Sequence, residues 1–332
     1  MTNPGIGILG TGSYLPGREV DNTELSARFG VDDDWIERKT LIRARRFAED
    51  HEAVSDLAVP AARAALERAG IPAERITYLI VSTGTGDFPA PPTSYLVQHA
   101  LGASEAACFD LNATCAGFVY GLAVARSLVA TTPGAYALVV ASEVYSRFTD
   151  PEDRATAVLL ADGAGAAVVG PTDGPGILDI ELRSYGDAHD LIVIPAGGSR
   201  NPATAETIGR RDHAVRMQGR SVTEFVLDNV PGVLDKFVSR NGMELADVDH
   251  FVPHQANGVM VGRLAEVSGL TRATTHLTAP VYGNSGSASV PVTLDHAART
   301  GALKDGDLVL LTAFGSGMTL GACLLTWSGD AR

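Results

Sequence analysis

Short apolar runs alternate with longer helical patterns along this chain. "YALVVAS" (136–142) and "DLVLLTAF" (307–314) are continuous apolar runs beside Gly or Asp, which is typical of strands covered by helices on both faces. "SDLAVPAARAALERAG" (55–70) has an Ala/Leu stripe at helical spacing, opened by a Ser-Asp pair and closed by Gly. Pro60 makes its first turn uncertain. Strands that alternate with helices predict an α/β fold with a mainly parallel or mixed sheet.

The order of these elements repeats. Residues 71–102 and 243–270 each show a short turn, a strand-like run, a polar loop and a helical pattern. Residues 110–145 and 282–317 each show a polar turn, an apolar helix, a turn and a strand. Such a duplication predicts two related α/β halves.

We place these halves at residues 1–171 and 172–332. The stretch 194–213 is polar and rich in Gly and Pro without periodicity, which predicts a long surface loop or cap. If the halves pack about a pseudo-twofold axis, equivalent features of both meet near the centre of the molecule.

Composition narrows the class of protein. At 332 residues, 45% hydrophobic and 20% charged, the chain is ordinary for a globular protein. No apolar run approaches the ~18 residues of a membrane span, and "MTNPGIGILG" lacks the features of a signal peptide, so we expect a cytoplasmic protein without membrane insertion. Three cysteines without a CxxC pair predict neither a disulfide framework nor a metal site. The net charge of −13 argues against general nucleic-acid binding.

A basic cluster stands out in this acidic chain at "WIERKTLIRARR" (35–46). Its basic residues, near Trp35, are Arg38, Lys39, Arg43, Arg45 and Arg46. Such a run is usually a solvated face. Beside a Trp, it could instead hold phosphates and stack an adenine. Composition alone leaves both interpretations open.

The stretch "FDLNATCAGFVYGL" places Cys115 where a polar turn gives way to an apolar helix. A helix N-terminus favours the reactive thiolate, and the small residues Ala116 and Gly117 leave room for a substrate. A free cysteine in apolar surroundings is more often a small core residue. Cys108 and Cys323 keep that interpretation.

Two further polar residues are candidates for the same site. His254 follows the strand-like "HFVP", where α/β proteins place ligands. Asn284 lies in "YGNSGSAS", whose glycines allow close approach of a ligand. Cys with His and Asn suits papain-type hydrolysis. It equally suits acyl transfer followed by decarboxylative carbon–carbon bond formation, in which His and Asn donors stabilise an enolate.

The glycine-rich turn in "AFGSGMTLG" (313–321) is expected to face the start of the Cys115 helix. Its backbone N–H groups could complete an oxyanion hole there. An ordinary strand-to-strand turn is an equally good interpretation of this segment alone.

Four motifs, "ATCAGF", "VPHQAN", "GNSGSAS" and "FGSGMTLG", resemble in order and spacing those of the β-ketoacyl-ACP synthase III family of condensing enzymes. The resemblance implies a thiolase-like five-layered αβαβα fold built from two duplicated halves. It also implies a homodimer and ping-pong acyl transfer without a permanently bound cofactor. The implied substrates are acyl-CoA and either malonyl-CoA or malonyl-ACP.

The resemblance also assigns residues. Cys115 matches the acyl-accepting nucleophile, and His254 with Asn284 matches the pair that promotes decarboxylation. The backbone N–H groups of Cys115 and Ser316 match the oxyanion hole. The positions that match the coenzyme A and pantetheine site are Trp35, Lys39, Arg154, Gly219 and Asn257.

One departure from the family concerns the helix at 258–270. Members that condense with malonyl-ACP often carry several basic residues there, whereas this chain has only Arg263, with Glu266 nearby. A weak basic face predicts poor binding of an acidic carrier protein, and hence a specialised member, for starter-unit or secondary-metabolite biosynthesis.

Two alternative functions remain. One is acyl transfer to a hydroxyl or amine of a small molecule, and the other is that of a non-catalytic acyl-binding partner subunit.

Overall fold

The computed structural model describes residues 5–328. The first four residues of "MTNPGIGILG", for which we predicted no signal peptide, lie outside the described residues. The strands are β1 (Gly5–Tyr14), β2 (Arg18–Asp21), β3 (Ala44–Phe47), β4 (Ile76–Ser82), β5 (Ala107–Leu111), β6 (Tyr136–Val144), β7 (Asp162–Thr172), β8 (Ile177–Ser184), β9 (Ile192–Val193), β10 (Arg216–Met217), β11 (His250–Pro253), β12 (Thr274–Thr275), β13 (Leu308–Gly315) and β14 (Thr319–Thr326). The helices are α1 (Asn22–Phe29), α2 (Asp33–Thr40), α3 (Val54–Ala69), α4 (Thr93–Leu101), α5 (Gly117–Thr131), α6 (Arg154–Ala157), α7 (Ala205–Gly209), α8 (Gly219–Arg240), α9 (Gly258–Val267), α10 (Ala279–Tyr282) and α11 (Ser289–Arg299).

Two five-stranded sheets share one topology. The first has the order β1-β7-β6-β4-β5 and the second the order β8-β14-β13-β11-β12. In each sheet the first two pairings are antiparallel and the last two are parallel. Strands of the first sheet end by Thr172, and those of the second begin at Ile177 or later. The repeated order of elements in the sequence therefore corresponds to a repeated sheet.

Helices cover both sheets and fill the space between them. Helices α3 and α4 pack on the outer face of the first sheet. Helices α5 and α11 lie between the sheets, and α8 with α9 covers the outer face of the second. The result is the five-layered αβαβα fold expected from the resemblance.

The predicted elements form with small shifts. β6 and β13 are almost completely buried, as their apolar runs predicted. Helix α3 begins at Val54, because the Asp56 carboxylate accepts the Ala53 N–H, and it continues through Pro60. Gly70 ends it at φ 63°, a left-handed conformation that glycine adopts without strain.

By length and composition alone, the described segment Thr114–Thr131 is apolar enough to cross a membrane. The prediction that no apolar run approaches the length of a membrane span was therefore wrong for this segment, in which Arg126 and Ser127 interrupt the apolar residues. In the structure the segment contains α5, whose Phe118 and Leu122 are completely buried between the sheets. A helix surrounded by core is apolar on most sides, which explains its composition.

Candidate active site

A cavity of about 860 Å³ opens where the two halves meet. It is lined by every residue that the sequence analysis assigned to the site: Trp35, Lys39, Cys115, Arg154, Gly219, His254, Asn257, Asn284 and Ser316. The expected meeting of features from the two halves is therefore observed.

Cys115 lies in a tight turn between β5 and α5. The Asn112 side-chain oxygen accepts the Thr114 N–H at 3.1 Å, which stabilises the turn. Thr114 has φ 47°, in the left-handed region that a β-branched residue rarely adopts. The turn leads directly into α5 and presents the sulfur to the cavity.

The small residues after Cys115 serve packing instead of making room for a substrate, so that expectation was wrong. Ala116 is completely buried in the core between the sheets. A Cβ on Gly117 would lie 1.8 Å from Ser82 Oγ. Neither residue lines the cavity.

The glycine-rich turn after β13 faces the Cys115 turn, as predicted. A Cβ on Gly315 would lie 2.9 Å from the Cys115 nitrogen, so only glycine fits there. The Thr114 hydroxyl donates to the Ser316 carbonyl at 3.1 Å. Within residues 5–328, neither the Cys115 N–H nor the Ser316 N–H is bonded to an oxygen acceptor. Both N–H groups belong to residues that line the cavity, so they could serve as donors to a substrate oxygen there.

The surroundings of Cys115 disfavour the thiolate form of its side chain. Burial raises its pKa to about 12, and the negative charge of Glu143 acts in the same direction. The partial charge of a helix N-terminus, worth about 1 kcal/mol, acts in the opposite direction and favours the thiolate. The surroundings of Cys115 therefore oppose the thiolate that its position before a helix alone suggested.

His254 is fixed at the end of β11. Its N–H donates to the Thr312 carbonyl at 2.7 Å, and its ring edge packs on Phe314 at 5.3 Å between centroids. Ring Nδ1 lies 2.7 Å from Ser289 Oγ. Burial lowers the pKa of His254 to about 4, so the ring is neutral at physiological pH.

Asn284 reaches the cavity from the loop before α11. Its side-chain oxygen accepts the Gly286 N–H at 3.0 Å, and its amide nitrogen lies 3.4 Å from the Ala256 carbonyl. Because Ser289, and not Asn284, bonds to the His254 ring, the arrangement in which Asn orients His for papain-type hydrolysis is not formed.

The glycines beside Asn284 pack closely against other parts of the chain, which our expectation did not include. Gly283 has φ 71°, and a Cβ there would lie 2.9 Å from the Ala161 Cβ. Gly286 has φ 57°, and a Cβ there would lie 2.3 Å from a Tyr145 ring carbon. Both positions therefore require glycine for the backbone conformation and for packing.

The basic cluster divides into structural and cavity-facing residues. Ion pairs join Arg38 to Asp32, Arg43 to Glu37 and Arg46 to Glu19. Arg45 is completely buried and donates to the Val20 and Val158 carbonyls and to Asn22, and burial lowers its pKa to about 10. The basic cluster as a whole therefore does not form a phosphate-binding site.

Three residues at the mouth remain available for a ligand. Trp35 and Lys39 line the cavity, and the Arg154 guanidinium stacks 4.7 Å above the Trp35 ring. Lys39 and Arg154 have no acidic partner among the described residues. An aromatic ring beside two unpaired cations fits a nucleotide with phosphates.

Gly219 and Asn257 line the wall between the mouth and the sulfur. Gly219 is the first residue of α8, and Asn257 caps α9 by accepting the Met260 N–H at 2.8 Å. The cap occupies the Asn257 side-chain oxygen, so its NH2 group is the part left for a ligand. Ile194 of the predicted 194–213 cap also lines the cavity, and this stretch contains α7.

Sequence reasoning missed Tyr145, which lines the cavity, and the buried Glu143 beside it. Both lie at the end of β6, beside the ends of neighbouring strands. Since α/β folds place sites at strand ends, the position itself was an available signal.

This duplicated αβαβα fold, with a cysteine, a histidine and an asparagine around one central cavity, defines a transferase of the thiolase-fold condensing class. Two family descriptions match the chain: 3-oxoacyl-[acyl-carrier-protein] synthase III over residues 109–186, and the C-terminal part of the same family over 238–327. The chain belongs to the 3-oxoacyl-[acyl-carrier-protein] synthase III family.

Individual relatives of known sequence or structure match nearly the whole chain. An acetoacetyl-CoA synthase of Streptomyces sp. strain CL190 is 48% identical, with 98% of this chain and 100% of the relative covered. A β-ketoacyl-[acyl-carrier-protein] synthase III of Clostridioides difficile is 40% identical, with 98% and 99% covered. The crystal structure of the Pseudomonas aeruginosa 3-oxoacyl-(acyl carrier protein) synthase III superimposes with a TM-score of 0.90 at 35% identity, covering 99% and 100%.

Proposed function

We propose that this enzyme loads a short acyl group from acyl-CoA onto Cys115 and condenses it with malonyl-CoA to give a 3-oxoacyl-CoA. The observation that carries the proposal is that one cavity is lined by Cys115, His254, Asn284 and Ser316. The backbone N–H groups of Cys115 and Ser316 bond to no oxygen of the described residues, and burial lowers the pKa of His254 to about 4. Coenzyme A thioesters act as substrates, and the proposal involves no resident cofactor or metal.

In the loading step, Cys115 Sγ attacks the thioester carbonyl carbon. The carbonyl oxygen becomes negative and accepts hydrogen bonds from the Cys115 and Ser316 N–H groups. Donors that are preorganised in this way stabilise the developing charge. Collapse of the intermediate breaks the bond to the coenzyme A sulfur. The thiol proton of Cys115 leaves with the coenzyme A thiol, so no resting thiolate is needed.

In the condensation step, the carbon–carboxylate bond of the malonyl group breaks and CO2 leaves. The electron pair forms an enolate whose oxygen accepts hydrogen bonds from the His254 ring and the Asn284 amide. A neutral histidine suits this role because it donates without transferring its proton to the enolate. The enolate carbon then attacks the acyl carbon and displaces Cys115 as thiolate, which takes up one proton from solvent.

The surface of α9 favours coenzyme A over a carrier protein as the malonyl donor. Its exposed residues are Val259, Gly262, Arg263, Glu266 and Val267. One positive and one negative charge give this face no net attraction for an acidic protein. The name of the Streptomyces relative, an acetoacetyl-CoA synthase, also supports a coenzyme A product. A specialised member for starter-unit or secondary-metabolite biosynthesis fits this choice.

The acceptor is tested by mixing acyl-loaded enzyme with malonyl-CoA or malonyl-ACP carrying a labelled free carboxylate. We expect CO2 release from malonyl-CoA with kcat/KM at least about tenfold above that for malonyl-ACP. A preference for malonyl-ACP would refute the donor assignment but leave condensation intact. If neither thioester releases CO2, acyl transfer to a hydroxyl or amine replaces condensation. If acyl-CoA leaves no adduct on the protein, the non-catalytic subunit replaces both.

Tyr145 limits the acyl group to a short chain. Its ring packs on Gly286, where a Cβ would lie 2.3 Å from a ring carbon, and it lines the same cavity as Cys115. We propose that this aromatic wall favours an acetyl or propionyl group over longer acyl chains.

Replacement of Tyr145 by Leu removes this wall. We expect hexanoyl-CoA loading to rise about tenfold while acetyl-CoA loading changes less than threefold, which reflects about 1–3 kcal/mol of apolar contact. Intact-protein mass spectrometry over a series of acyl-CoAs measures the change. Tyr145→Phe keeps the ring and is the matched control, with an unchanged preference. Equal profiles for all three proteins would show that another residue limits the chain.

We further propose a cytoplasmic homodimer joined at β5, without membrane or nucleic-acid partners. β5 is an edge strand of the first sheet, so its outer hydrogen-bonding groups are not paired by a neighbouring strand. Phe88 and Tyr95, which are 57% and 53% exposed, lie in the segment that leads to and begins α4, next to β5. An open edge with exposed aromatic residues is typical of a surface that pairs with another chain.

A further inference from the structure

Glu143 is a buried acid that the proposed reaction does not use. It lies near the end of β6 and is 0% exposed. Unpaired carboxylates are rarely buried so deeply, since removal from water costs several kcal/mol. Among the described residues, no cation pairs with it, and its partners are all uncharged donors.

The donors come from both halves of the molecule. From the segment after β4, the Gly84 N–H donates at 3.1 Å and the hydroxyls of Thr85 and Thr83 donate at 2.7 and 3.3 Å. From the turn before α11, the Ser287 hydroxyl donates at 2.8 Å. Glu143 thus connects two segments that are far apart in the sequence.

These two segments hold opposite sides of the site. Gly84 lines the cavity together with Cys115. Ser287 follows Gly286, whose N–H holds the Asn284 side chain in place. The hydrogen bonds of the Glu143 carboxylate therefore connect the segment beside Cys115 with the segment that holds Asn284.

Its charge also acts on the nucleophile. The titratable groups that Glu143 faces are Cys115 and Tyr145, and its negative charge raises the pKa of both. Burial raises the pKa of Glu143 itself to about 7, so the carboxylate is charged above neutral pH.

We propose that Glu143 is a positioning residue with two effects: its hydrogen bonds hold the Asn284 loop against the wall beside Cys115, and its buried negative charge repels a negative charge on the Cys115 sulfur. The first effect rests on the proposed condensation. The second is measurable without any substrate.

The test compares Glu143→Gln, which removes the charge, with Ser287→Ala, which removes one tether and keeps the charge. Alkylation of Cys115 by iodoacetamide is followed from pH 7.5 to 10.5 by peptide mass spectrometry. In E143Q we expect the alkylation profile to move down by about one pH unit, or about tenfold faster reaction near pH 9. In S287A we expect the profile of the unmodified enzyme.

Condensation is measured in parallel as CO2 release from malonyl-CoA. We expect S287A to load acyl-CoA normally and to lose about tenfold in kcat with KM little changed, because Asn284 is less well fixed. If the alkylation profile of E143Q superimposes on that of the unmodified enzyme, the charge effect is refuted. An unchanged kcat in S287A would refute the role of the Ser287–Glu143 hydrogen bond in holding the Asn284 loop. If E143Q does not fold, S287A alone tests that role. If the unmodified enzyme releases no CO2, the proposed function fails, whereas the alkylation comparison still stands.

Discussion

Replacement of Cys115 by Ala will leave the protein without an acyl adduct after incubation with acyl-CoA. The sulfur is the atom to which the acyl group becomes attached, and no other cysteine lines the cavity within the described residues. Overall condensation should fall by about 10³-fold or more, since no neighbouring group can replace the nucleophile. Intact-protein mass spectrometry and 3-oxoacyl-CoA formation measure the two effects.

Cys108→Ala is the matched control for this experiment. Cys108 lies in β5, outside the cavity, and its thiol donates to the Ala106 carbonyl. This variant should load as fully as the unmodified enzyme. An adduct that persists in C115A, or disappears in C108A, would refute the assignment of the nucleophile.

Replacement of Asn284 by Ala should separate the two steps of the reaction. The variant should form the acyl adduct fully, because the donors for loading are the backbone N–H groups of Cys115 and Ser316. CO2 release from malonyl-CoA should fall by about 10²- to 10³-fold, the usual effect of removing one donor from a developing oxyanion. His254→Ala should have an effect in the same direction.

Asn229→Ala is a suitable control, since this residue bonds to the Phe225 carbonyl within α8 and does not line the cavity. It should leave loading and decarboxylation unchanged. Loss of the adduct in N284A would mean that Asn284 acts in loading. Normal CO2 release in N284A would mean that His254 stabilises the enolate without it.

Much of the fold followed from local pattern. The apolar runs of β6 and β13 predicted buried strands because only strands covered on both faces are apolar throughout. The end of α3 was predictable because Gly70 adopts a left-handed conformation at little cost. The repeated order of elements was enough to expect that Cys115, His254 and Asn284 meet.

The failures have a common cause. Ala116, Gly117 and Gly283 were interpreted as space for a ligand, yet each is small because another part of the chain packs against it. The basic cluster was treated as a unit, yet Arg45 points into the core while Lys39 faces the cavity. Partners distant in sequence leave no trace in the local pattern of residues.

The sequence by itself determined the α/β class, the duplication and the family to which the chain belongs, because these depend on periodicity and on the order of motifs. Only the tertiary structure decided the electrostatic surroundings of the site residues. Burial raises the pKa of Cys115 and lowers that of His254, and the buried Glu143 carboxylate raises the pKa of Cys115 further. Such effects depend on which atoms surround a group in space, and that is established only when both halves have packed around the cavity.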